Sequence, residues 1–162
     1  MMDNIENELF EALEIRDSSA YEMATVGYFQ EKKGNKPKGE LIRVFTTSDS
    51  DRPQVHVHLK SLNGSLLSCI KLDKPEYFLH DVYQDKLSTE QIEALIDFFN
   101  SKPSSPEFVL NDILYKLHNQ WDYTVIQWNL ENINCPKICL PIGIDKTGYI
   151  ITPKMPDYTQ LK

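Results

Sequence analysis

The chain has 162 residues, of which 41% are apolar and 25% charged, so it has the length and composition of a single globular domain rather than a disordered segment. Its formal net charge of −7 disfavours a general duplex DNA binder, which needs Lys and Arg to displace counterions from phosphate. No apolar run approaches the roughly 20 residues of a membrane span. The acidic N-terminus lacks the basic stretch of a secretory signal, and we read the protein as cytoplasmic.

Residues 1–15 hold an acidic helix, with Ile5, Leu9 and Leu13 on one side, that either packs on the domain or awaits a partner. Residues 20–72 read as an antiparallel sheet of about four strands. "AYEMATVGYFQ" and "ELIRVFTT" are rich in aromatic and β-branched residues, and the lysine-rich loop between them makes a hairpin tip. The third and fourth strands, "PQVHVHLKS" and "SLLSCIKLD", are joined by Asn63-Gly64, the dipeptide that favours a type I′ turn. A two-residue turn pairs Leu59 with Ser68, His58 with Cys69, Val57 with Ile70, His56 with Lys71 and Val55 with Leu72. Alternation then places Val55, Val57, Leu59, Ile70 and Leu72 on an apolar face. His56, His58, Lys60, Cys69 and Lys71 fall on the other, expected to face water or a partner.

Residues 88–130 read as the helical half. Ser88 and Gln91 form a capping box for a helix over 88–101. Pro106 opens a second helix over 106–130, with Leu110, Ile113, Leu114, Leu117, Trp121, Val125 and Trp128 as its core stripe. Residues 131–162 form a proline-containing tail in which "TGYIIT" adds a short strand. The expected fold is α+β: a small antiparallel sheet covered on one face by two main helices, in one domain spanning residues 1–162.

Two histidines at i and i+2 on a strand point the same way, so His56 and His58 could share a metal ion, with Cys69 opposite as a third ligand. Against this stand the cations of Lys60 and Lys71 on the same face and the lack of a carboxylate there. The expectation is therefore no tightly bound transition metal and no cofactor. His80, beside Asp81, reads as a loop residue, and His118 as the rim of the helical stripe. Cys135 and Cys139 lack the second ligand pair of a zinc ribbon. No phosphate-binding glycine loop or nucleophile elbow occurs.

The Pro-x-x-H-x-H strand, "YFLHD", the capped "DKLSTEQIEALIDFF" helix and the terminal "MPDYTQL" resemble a family of small uncharacterised bacterial and mobile-element proteins. Related domains are encoded beside toxin–antitoxin partners. The resemblance implies no catalytic residue. We therefore expect a non-enzymatic accessory protein, antitoxin-like or an inhibitor of a toxin or defence system. It would bind a protein partner, basic in character, through His56, His58, Lys60 and Lys71; a homodimer is compatible with this. The competing expectation is a small hydrolase or nuclease-like toxin using His56, His58 and His80 as general acid and base.

Overall fold

A computed structural model describes residues 23–47, 54–103, 107–110, 113–132 and 143–161. The expected acidic helix, Cys135 and Cys139 lie outside these residues. The architecture is α+β. Strands β1 (Met23–Phe29), β4 (Ile42–Thr47), β5 (His56–Ser61) and β6 (Leu67–Lys71) form an antiparallel sheet in the order β1-β4-β5-β6. Between β1 and β4 the lysine-rich segment folds into a small hairpin, β2 (Lys32–Lys33) and β3 (Lys36–Pro37), whose lysines are exposed.

The β5–β6 register is the expected one, with His56 opposite Lys71, Val57 opposite Ile70, His58 opposite Cys69 and Leu59 opposite Ser68. The turn that sets it is different. Neither Asn63 nor Gly64 takes positive φ, so the link is not a type I′ turn. The Glu40 carboxylate lies against Gly64, in the space a Cβ would take, and would have to swing aside for any larger residue.

The apolar face carries Ile42, Val44, Val57, Leu59 and Ile70, all inaccessible to solvent. Helix α1 (Thr89–Asn100) packs here through Leu95 and Phe99, and its N-cap is the capping box of Ser88 and Gln91. A β-bulge in β1 falls between Thr25 and Gly27, and a Cβ on Gly27 would sit 2.8 Å from the Phe98 ring. The missing side chain is what lets α1 approach the sheet.

The long helix expected over 106–130 is not formed. Residues Glu107–Leu110 (β7) and Ile113–Lys116 (β8) pair as an antiparallel hairpin, and helix α2 runs only from Gln120 to Glu131. "EFVL" and "ILYK" carry branched and aromatic residues, so strand propensity outweighs the helical spacing of the leucines. The Asn119 side chain caps α2 by accepting from the Asp122 amide.

Helix α2 is not a one-sided stripe either. Every residue from Trp121 to Asn129 is buried, polar ones included. Those polar groups find partners: Gln120 Nε2 donates to the Val26 carbonyl at 2.8 Å, Thr124 donates to the Gln120 carbonyl, and Asp122 accepts from Thr152. Beyond it, β9 (Gly143–Ile144) and β10 (Ile150–Ile151) pair, as the strand expected in "TGYIIT" requires. The chain then returns to the core, where buried Tyr158 donates to the carbonyls of Lys71 and Leu72.

Trp121 and Trp128 are buried as expected, Trp128 completely. Replacing Trp128 with alanine should cost about 3–5 kcal/mol of stability. Urea unfolding is the check; a shift below about 1 kcal/mol would place the indole at the surface in solution.

Candidate functional site

The imidazoles of His56 and His58 do not face water: they expose 0% and 3% of their surface. This corrects the expectation that their face is open to solvent or a partner. The register and the alternation are as expected; what covers the second face was not foreseen. After β6 the chain doubles back along its outer edge. Tyr77 bridges Ile70, the Phe78 amide donates to the Cys69 carbonyl at 2.8 Å, and Asp85 exchanges backbone and side-chain bonds with Leu67. Segment 76–85 thus adds an irregular fifth edge to the sheet, and its aromatic side chains fold over the histidines. Phe78 lies 4.7 Å from His56 between ring centroids, Tyr83 lies 4.5 Å from His58, and Trp128 of α2 reaches to 4.9 Å from His56. Phe45 of β4 closes against His58 at 5.1 Å.

Within this enclosure the His56 and His58 Nε2 atoms stand 3.0 Å apart. His56 Nδ1 is bonded to the Gln54 carbonyl, which only accepts, so the proton sits on Nδ1 and the Nε2 lone pair points at His58. With His56 neutral, His58 must donate through its own Nε2. Its Nδ1 then remains a buried lone pair with no hydrogen-bond partner among the described residues. Burial, then the nearby imidazoles of His56 and His80, holds the His58 pKa down at about 3. Cys69, directly across the ladder and 1% exposed, completes a cluster. One ligating atom each from His56, His58 and Cys69 lie within 4.8 Å of one another.

His80 belongs to the same neighbourhood, although nothing in its sequence position required it. It is half-buried, stacks on Phe78, and its ring centroid is 5.5 Å from His56 and 5.4 Å from His58. Its Nε2 is 3.5 Å from Asp81 Oδ2, while its Nδ1 has no hydrogen-bond partner among the described residues. Asp81 holds a φ of 50°, a conformation short polar residues tolerate best, and this turns the chain so that His80 and Tyr83 bridge each other. His118 stands apart, exposed and stacked on Tyr149 at 4.2 Å.

The two flanking lysines are not inside the cluster. Lys60 is exposed, and Lys71 Nζ is drawn to Glu76 at 3.2 Å. The sequence signal for the enclosure was the aromatic run "EYFLHDVY", which reads as a connector when taken alone. No protein-family model, curated protein or solved structure matches the chain, so the site rests on its own geometry.

A second feature lies beside α1. A groove of about 530 Å³ runs between α1, the end of β1 and the lysine hairpin. Tyr28, Phe29, Ala94 and Phe98 form its apolar floor, and Glu90, Glu93 and Asp97, spaced along one face of α1, form its rim. Among the lining residues these three carboxylates oppose one ammonium, that of Lys32.

Folding holds His58 far below its unfolded pKa of 6.5, so the unfolded chain takes up this proton first. The contribution is full above pH 6.5 and falls by about 1.4 kcal/mol per unit as pH drops towards about 3. His58→Gln should flatten the pH dependence of the urea midpoint between pH 7 and 4. An unchanged slope would show that His58 is not buried neutral. For the same reason the double variant His56→Ala/His58→Ala should lose more than about 2 kcal/mol at pH 7, where a solvent-facing pair would lose almost nothing.

Proposed function

We propose that the protein is a non-enzymatic binding module that captures a basic protein partner in the groove beside α1, in the manner of an antitoxin or an inhibitor within a toxin or defence system. The observation that carries this reading is the acidic rim of Glu90, Glu93 and Asp97 over an aromatic floor half-exposed at Tyr28. An apolar floor supplies contact area, and a one-signed rim steers and orients an oppositely charged partner. The net charge of −7 adds long-range attraction of the same sign. Among the described residues no helix is long and apolar enough to cross a membrane.

The histidine-dependent hydrolase reading draws less support. A general acid or base must come within hydrogen-bond reach of substrate. His56 and His58 are enclosed by Phe45, Phe78, Tyr83 and Trp128. The same enclosure keeps both imidazoles from serving as contact residues. The proposed docking surface is therefore the groove beside α1 rather than the strand face of His56, His58, Lys60 and Lys71.

The test uses a fluorescent amphipathic peptide of alternating leucine and lysine. Its binding should weaken steeply with salt and shift the amide resonances of Tyr28, Glu93 and Asp97. The double reversal Glu93→Lys/Asp97→Lys should weaken binding about tenfold, since four pairwise terms of a few tenths of a kcal/mol change. Binding that is unaffected by the reversal, or resonance shifts confined to other faces, would refute the groove.

A further inference from the structure

The geometry points to a buried zinc-class metal site formed by His56 Nε2, His58 Nε2 and Cys69 Sγ, with His80 as the fourth ligand brought in by the loop that covers them. It is independent of the groove and rests on different residues.

Four observations carry it. The first is convergence. In a tetrahedral zinc site with metal–nitrogen bonds near 2.0–2.1 Å, two ligating nitrogens stand about 3.4 Å apart. The two Nε2 atoms are at 3.0 Å, so they need to part by only a few tenths of an ångström to admit an ion between them. The thiol lies within 4.8 Å of a ring nitrogen of each histidine and needs to close by roughly 1 Å.

The second is the tautomer. The Gln54 carbonyl accepts a hydrogen bond from His56 Nδ1–H, which leaves the Nε2 lone pair oriented towards His58. A metal-binding imidazole is held in this way by its other nitrogen. His80 repeats the pattern, with Asp81 beside Nε2 and Nδ1 unpartnered. That is the carboxylate–histidine arrangement of an imidazole presenting its second nitrogen to a metal. His80 lies outside the cluster of three, its ring centroid 5.5 Å from His56 and 5.4 Å from His58, and reaches the ion by movement of its loop.

The third is the cost of the cluster without an ion. Two imidazoles and a thiol occupy a nearly dry site, with the two Nε2 atoms turned on each other rather than on water. Such polar groups are expensive to bury unless something repays the desolvation. Coordination to the two nitrogens and the sulfur would do so.

The fourth removes the objection raised by the sequence. Lys71 is paired with Glu76 and Lys60 is directed to solvent, so neither cation sits in the cluster. Arg43, also on this face, donates to Thr25 and lies over the Phe45 ring. The donor set of imidazole and thiolate, with no hard oxygen in the innermost group, selects zinc-class ions over magnesium or calcium. On binding, the Cys69 thiol releases its proton to solvent and the thiolate bonds the ion, the His58 proton shifts from Nε2 to Nδ1, and both histidines coordinate as neutral ligands.

The experiment uses the full chain, expressed without a histidine tag and stripped with a chelator, with Co²⁺ as the probe. One equivalent of Co²⁺ should produce tetrahedral d–d absorption together with a thiolate-to-metal charge-transfer band, and one equivalent of Zn²⁺ should abolish both. Cys69→Ser should remove the charge-transfer band, and His58→Gln should weaken Co²⁺ binding by at least about 100-fold. His80→Gln should weaken it about tenfold. Lys60→Gln should change nothing. The double variant Cys135→Ser/Cys139→Ser should keep both bands, which excludes the two thiols outside the described residues. Absence of the charge-transfer band in the unmodified protein overturns the proposal whatever the variants do, as does a band that follows Cys135 and Cys139 instead of Cys69.

Discussion

Strand β5 is buried on both faces from His56 to Leu59, and the organisation of the molecule follows from that constraint. Val57 and Leu59 point into the core below the sheet, while His56 and His58 point into a second enclosure above it. A strand with one wet face can carry any polar residue there. A strand with none can carry imidazoles only where their nitrogens are answered. Gln54 answers His56, His56 answers His58, and the chain left over is one lone pair. Covering the upper face also demands aromatic bulk, which arrives from three separate elements: Phe45 on β4, Phe78 and Tyr83 on the returning loop, and Trp128 on α2.

Helix α2 shows the same economy of polar groups. A helix buried all round normally dispenses with Gln, Asp, Thr and Asn. Here Gln120 ties the helix to β1 through the Val26 carbonyl, and Asn132 reaches the Thr47 carbonyl of β4 from its other end. Asp122 links the segment that leads into the helix to the tail that follows, accepting from the His118 amide and the Thr152 hydroxyl. These bonds fix how α2 lies across the sheet in a way that apolar contact alone does not, because hydrogen bonds are directional and dispersion is not. The placement matters for the upper enclosure, since Trp128 near the end of this helix forms one of its walls.

The two candidate sites have opposite physical characters. The groove beside α1 is open, acidic and floored by rings, as suits encounter with a large charged partner. The histidine–cysteine cluster is closed, nearly uncharged and small, as suits an ion held for structure. Both depend on glycine or loop geometry that lets elements come close. Gly27 admits Phe98, which lines the groove, and Asp81 turns the loop that carries His80.

Much of this was legible in the linear chain. Period-two alternation in "VHVHLK" and the spacing about Asn63-Gly64 sufficed for the register that sets His58 opposite Cys69, even though the turn itself is of another type. The capping box of Ser88 and Gln91 located α1 because both halves of that signal are local. Where two local signals competed, the reading failed: leucines at helical spacing in "EFVLNDILYK" concealed a hairpin favoured by branched and aromatic residues. The burial of His56 and His58 was beyond local reasoning altogether. Alternation separates a strand's two faces, but it cannot say whether the second face meets water. That was decided by a loop folding back from later in the chain and by a helix more than sixty residues away, contacts whose residues carry no mark in the sequence of where they will land.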